Sequence, residues 1–201
     1  MASPTAFAQS SLQRFYVGGG AGVSNITGHV ADILLPVAGA TTSTLTFDST
    51  DTPARVFAGF RFTSNWGIEG GAQSLGRFSA RRDVTAPVAA TYDAAWTVRG
   101  GYVDLVARVS FGDDSWSVIG KVGAMRATTR VESTSAGVSS TASDSKFAFR
   151  YGAGVQFDLN RWLAFRADAE ANRRATNSNL GGLSTDSLTY NVLTGSFLLK
   201  F

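Results

Sequence analysis

Arg166, Asp168 and Glu170 stand two residues apart, a spacing that puts all three on one face of an extended chain. An Asp and a Glu so placed could share acid and base work. With Arg166 among them and Arg150 a short way upstream, mutual neutralisation is the better reading. Other reactive candidates are sparse. His29 is the single histidine and cysteine is absent, which excludes a multi-histidine or thiolate metal site. His29 could serve the Ser-His-Asp set of a lipid-acting hydrolase, but no segment offers a serine at suitable spacing, so no catalytic residue is assigned. Gly18-Gly19-Gly20-Ala21-Gly22 lacks the Lys-Ser/Thr and the following helix of a phosphate loop. No cofactor is expected.

The elements that position these charges have period two. Leu193, Gly195, Phe197, Leu199 and Phe201 share one face, against Thr194, Ser196, Leu198 and Lys200. Phe147 to Phe157 alternates against Arg150, Gly152, Gly154 and Gln156, and Leu163 to Ala169 alternates against Arg166, Asp168 and Glu170. Continued along the 201 residues, this pattern predicts strands at 14–24, 54–62, 66–77, 96–111, 116–129, 146–158, 162–173 and 187–201. Most have the roughly 9–11 residues that a tilted strand needs to cross a bilayer. Charged residues are only 16% of the chain, against about 25% in typical soluble domains. No apolar run approaches the ~20 residues of a membrane helix, and Ile33 to Val37 is broken by Pro36. The net charge of +3 is scattered along the strands, so no nucleic-acid partner is expected.

Three connections are tight, running from Phe62 to Trp66, Phe111 to Trp116 and Phe157 to Trp162. Each passes through Asn or Asp, and each joins two amphipathic rings of the kind that gather where membrane meets water. With Phe201 they predict an aromatic girdle at one rim. The other connections, 25–53, 78–95, 130–145 and 174–186, are long and rich in small polar residues. Short turns at one end and long loops at the other indicate an all-β, eight-stranded antiparallel up-and-down transmembrane barrel over 14–201, in the outer membrane of a Gram-negative bacterium. Residues 1–13 form a tail in which Ala6-Phe7-Ala8 has the form of an export-signal cleavage site; a remnant of such a signal and a plain polar tail both fit. The Ile33–Val37 patch could touch a partner or fold over the barrel mouth.

Lipid outside the barrel puts the apolar face outward and the charges in the lumen. The second face collects Arg61, Glu69, Arg77, Asp104, Arg108, Lys121, Arg150, Arg166, Asp168 and Glu170. An eight-stranded lumen is only wide enough for side chains to fill. An Arg or Lys turned to lipid at midplane would cost about 2–4 kcal/mol. Arg81-Arg82 and Arg173-Arg174, near the loop-side rim, are either ordinary solvated residues or contacts for lipopolysaccharide phosphates.

Three stretches read together, Ile68–Arg77, Gly152–Asp168 and Gly195–Phe201, resemble the membrane domain of OmpA-type outer-membrane proteins in order and spacing. The resemblance implies a lumen plugged by charged pairs, with Glu69 as the central acid and Arg108 and Arg166 as its basic partners. Gln156 departs from the family pattern, which has a second acid there; Asp168 or Asp104 could supply the missing carboxylate. A terminal Phe201 on an alternating strand is similar to the signal read by the outer-membrane assembly machinery. The function expected is a non-enzymatic barrel whose loops make surface contacts. A small pore is the alternative, and a lipid-acting enzyme a more distant one.

Overall fold

Alternation of large apolar with small or ionised side chains folds the chain into eight long strands, each hydrogen-bonded to its sequence neighbours. The computed structural model describes residues 14–27, 42–86, 90–112, 115–135, 138–174, 179–180, 183–184 and 189–201. The strands are β1 (Phe15–Thr27), β2 (Ala54–Arg61), β3 (Trp66–Ala86), β4 (Ala90–Phe111), β5 (Trp116–Ser135), β6 (Val138–Asp158), β7 (Leu163–Arg174) and β8 (Thr189–Lys200). All pairings are antiparallel, and β8 returns to β1 from Tyr16↔Lys200 to Thr27↔Thr189, closing the barrel. Closure removes the free sheet edges that lipid cannot satisfy. The tail 1–13, His29 and the Ile33–Val37 patch lie outside the described residues.

The short turns are built from side chains as well as backbone. The Asn160 side-chain oxygen accepts from the Trp162 and Leu163 amides at 2.8 Å each, and the Phe62 amide donates to the Trp66 carbonyl at 3.1 Å. Phe62, Trp66, Phe111, Trp116, Trp162 and Phe201 project from this rim into the surroundings, while Phe157 is half-buried against Trp116, 4.7 Å between ring centres.

The other end differs from the sequence reading. Of residues 78–95 and 130–145, expected as long loops, the described ones are wall: β3 and β4 pair as far as Val84↔Ala90, and β5 and β6 as far as Ser135↔Val138. Thr42–Asp48 pairs with the far end of β3, and Thr50–Asp51 pairs with β1, so part of the expected first loop is also wall. The alternation persists in these extensions, but its phase is inverted. Outward positions carry Arg77, Ser79, Thr97, Arg130, Glu132 and Ser143, while Phe78, Ala80, Trp96, Val98 and Val131 point inward with Ile26, Leu75 and Tyr190. Beyond the bilayer both sides of the wall would meet water, so the apolar side chains turn inward as in a soluble barrel. Phe78 lies 6.1 Å from Trp96 and 5.8 Å from Tyr190, ring centre to ring centre.

A bulge in β3 corrects one lumen assignment. Ser74 pairs with Arg99 and Gly76 with Val98, so Leu75 is extra, and Gly76 takes φ +116°, a conformation L side chains rarely adopt. The extra residue switches the faces of β3 beyond it. Arg77, expected in the lumen, is consequently exposed on the outer wall and lies 3.5 Å from Glu132.

Candidate functional site in the barrel lumen

Every strand of the barrel contributes a polar side chain to one buried cluster. Tyr16 comes from β1, Arg55 from β2, Glu69 and Gln73 from β3, Tyr102 and Asp104 from β4, and Lys121 from β5. Arg150 lies on β6, Arg166, Asp168 and Glu170 on β7, and Ser196 on β8. Eight are ionisable partners in salt bridges: Arg55, Lys121, Arg150 and Arg166 against Glu69, Asp104, Asp168 and Glu170. Four positive and four negative charges cancel, and each of these residues is at most 5% exposed. A net charge sealed at this depth would be very costly; a balanced, hydrogen-bonded set is the arrangement that a low-dielectric interior tolerates.

The pairing is a web. Arg166 reaches Glu69 at 2.6 Å and Asp168 at 3.2 Å. The Lys121 ammonium sits 3.0 Å from Asp168, 3.1 Å from Glu170 and 3.7 Å from Glu69. Arg150 bridges Asp104 at 2.8 Å and Glu170 at 2.7 Å and donates to Gln73. Arg55 contacts Glu170 at 2.7 Å, Asp168 closely, and the Ser196 hydroxyl. The Tyr16 and Tyr102 hydroxyls both donate to Glu69, at 3.2 and 3.3 Å. The Arg150 guanidinium also stacks 3.9 Å from the Tyr102 ring centre. Glycines make room for this: a Cβ on Gly123 would overlap the Asp104 carboxylate, and one on Gly154 that of Asp168.

The residues named from sequence divide between two heights. Glu69, Asp104, Lys121, Arg150, Arg166, Asp168 and Glu170 join this web. Arg108, expected beside Glu69, does not. It lies four residues along β4 from Asp104, about 13 Å nearer the short turns, and reaches Asp158 at 3.0 Å and Ser117 at 2.7 Å. Lys200 also meets Asp158, at 3.0 Å, and Gln156 donates to it at 2.7 Å. The second acid of Arg166 is Asp168, while Asp104 serves Arg150. Arg55 was missed, although it shares the inward face of β2 with Arg61 and was open to the same argument. Between the two layers is a space of about 20 Å³ beside Arg61, Arg108, Gln156, Arg166 and Lys200, room for about one water molecule. The hydroxyls of the web face cations and carboxylates that are already engaged in ion pairs.

Outside, the opposite side chains form an apolar belt. On β5 it starts at Trp116 and runs through Val118, Val122 and Ala124 to Arg126, and on β4 through Phe111, Val109, Leu105 and Val103. Ten residues of strand at ~3.3 Å each, tilted 35–45°, rise about 25 Å, the height of the apolar band on outer-membrane barrels. The sequence matches the model of the outer membrane protein beta-barrel domain family over residues 1–201. The chain belongs to that family. It is an outer-membrane barrel of the Gram-negative envelope, as the OmpA-type resemblance implied. Among solved structures, OprG of Pseudomonas aeruginosa is similar in fold at 18% identity, covering 94% of this chain and 96% of that one with a TM-score of 0.61. Ail, the attachment invasion locus protein of Yersinia pestis, also at 18%, covers 94% and 99% with a TM-score of 0.52. A search of curated protein sequences gives no match.

Proposed function

We propose that this barrel is a non-enzymatic outer-membrane protein whose lumen is closed to solutes and whose protruding wall makes surface contacts. The observation that carries the reading is the four-against-four charge web carried by β2 to β7, joined by Tyr16 of β1 and Ser196 of β8. Opening a path through it would strip several charges of their partners at once, a strong penalty in a buried site. The wall of β3–β6 rises about 20 Å past the belt. Its outer face is rich in hydroxyls, including the Thr128–Ser145 pair at 2.8 Å and the Thr134–Ser139 pair at 3.1 Å. A fold neighbour, Ail, carries attachment in its name. Phe201 ends β8 beside β1, its amide donating to the Phe15 carbonyl at 2.8 Å, and we assign it to contact with the assembly machinery.

Planar-bilayer recording tests the closed lumen. Purified barrel is expected to give no stable unitary current. A reproducible open-channel level would reverse the reading in favour of the small pore. Such a pore would favour anions, since the turn-side layer sets Arg61, Arg108 and Lys200 against Asp158.

A further inference from the structure

We propose that the outer wall of β3–β5 holds a site for the phosphate of an outer-leaflet lipid headgroup, centred on Arg99 and Arg126. Four arginines project outward there at neighbouring positions. Thr97 on β4 pairs with Arg77 on β3 and with Arg130 on β5, and one step nearer the belt Arg99 pairs with Thr128. A further step down, Gly101 pairs with Arg126. Arg99 and Arg126 are therefore diagonal neighbours, about 7–8 Å apart at Cα, close enough for both planar guanidinium forks to reach one phosphate.

Their height fits the same ligand. Arg126 stands where the belt ends, ten residues from Trp116, so its head lies at the level of lipid headgroups rather than acyl chains. Directly below, Val103, Leu105, Val122 and Phe149 offer a continuous surface for the chains of the same lipid. The charge balance distinguishes this patch from the rest of the rim. Glu132 lies 3.5 Å from both Arg77 and Arg130, but the cross-strand neighbours of Arg99 and Arg126 are Ser74, Thr128, Gly101 and Phe147, none of them acidic. The pairs Arg81-Arg82 and Arg173-Arg174, singled out in the sequence, are poorer candidates. Arg81 is neutralised by Asp83 and Asp93, and alternation turns Arg82 to the other face. Arg173, on β7, is exposed but stands between Phe149 and Thr189 with no second arginine opposite.

The test uses the folded barrel in phosphatidylcholine vesicles with either bis-phosphorylated lipid A or its dephosphorylated form. The readout is the midpoint of thermal unfolding, followed by loss of the folded band on unheated gels. The wild type is expected to gain several degrees with the phosphorylated lipid alone. Arg99→Gln/Arg126→Gln should keep the plain-vesicle midpoint and lose that gain, while Arg173→Gln keeps both. An equal gain in the double variant, or with the dephosphorylated lipid, overturns the site. An equal gain from inorganic phosphate in plain vesicles overturns its assignment to a lipid.

Discussion

Glu69 is the carboxylate on which most donors converge: Arg166, Lys121, Tyr16 and Tyr102 all face it. Glu69→Ala removes the shortest partner of Arg166 and leaves that guanidinium buried with Asp168 alone. The expected loss is about 3–5 kcal/mol, the usual penalty for stranding a buried charge. It should show as a lower unfolding midpoint in urea titrations of the vesicle-bound barrel. Arg108→Ala should cost much less, because Arg108 sits at the turn-side end with its side chain 12% exposed. At this scale, alternation gave the facing of the lumenal residues on β4 to β7. It could not give their height, which depends on the register between strands. Arg108 was set beside Glu69 by the family resemblance, with no height from the pattern to correct it, and Arg55, the partner of Asp168 and Glu170, was overlooked although alternation turns it inward.

At the scale of the elements, the strand cores were legible and their upper ends were not. β7 alternates apolar against polar along nearly its whole length and β8 from Leu193 onward, and the expected 162–173 and 187–201 lie close to Leu163–Arg174 and Thr189–Lys200. In β3 to β6 a search for outward apolar residues stops where the belt stops. Past Arg77 and Arg126 the same period continues with the faces exchanged, and serines and threonines on the wet side read as loop. The bulge at Leu75 and Gly76 hid the phase change in β3. An arginine scan on β4 should reveal the boundary. Leu105→Arg, near the middle of the belt, is expected to cost about 2–4 kcal/mol in folding into vesicles, whereas Thr97→Arg, at the rim, should cost about 0–1 kcal/mol. Equal costs at the two positions would mean that the belt does not end near Arg99.

At the scale of the whole molecule, one closed sheet serves two solvents. Its lower half is apolar outside and ionic inside, and its upper half is polar outside and aromatic inside, with the charge web near the level where they meet. The family and the outer-membrane location follow from the sequence match, and the account of the lumen depends on which way each face points. Tyr102 and Val103 are adjacent on β4 at the same depth, the first 4% exposed in the lumen and the second 55% exposed on the wall. In a background with Trp66, Trp96, Trp116 and Trp162 changed to Phe, Tyr102→Trp and Val103→Trp place one fluorophore on each face. In vesicles of lipid brominated at mid-chain, Val103→Trp should be strongly quenched and Tyr102→Trp nearly untouched. Strong quenching of Tyr102→Trp with Val103→Trp unaffected would contradict the orientation on which the plugged barrel rests.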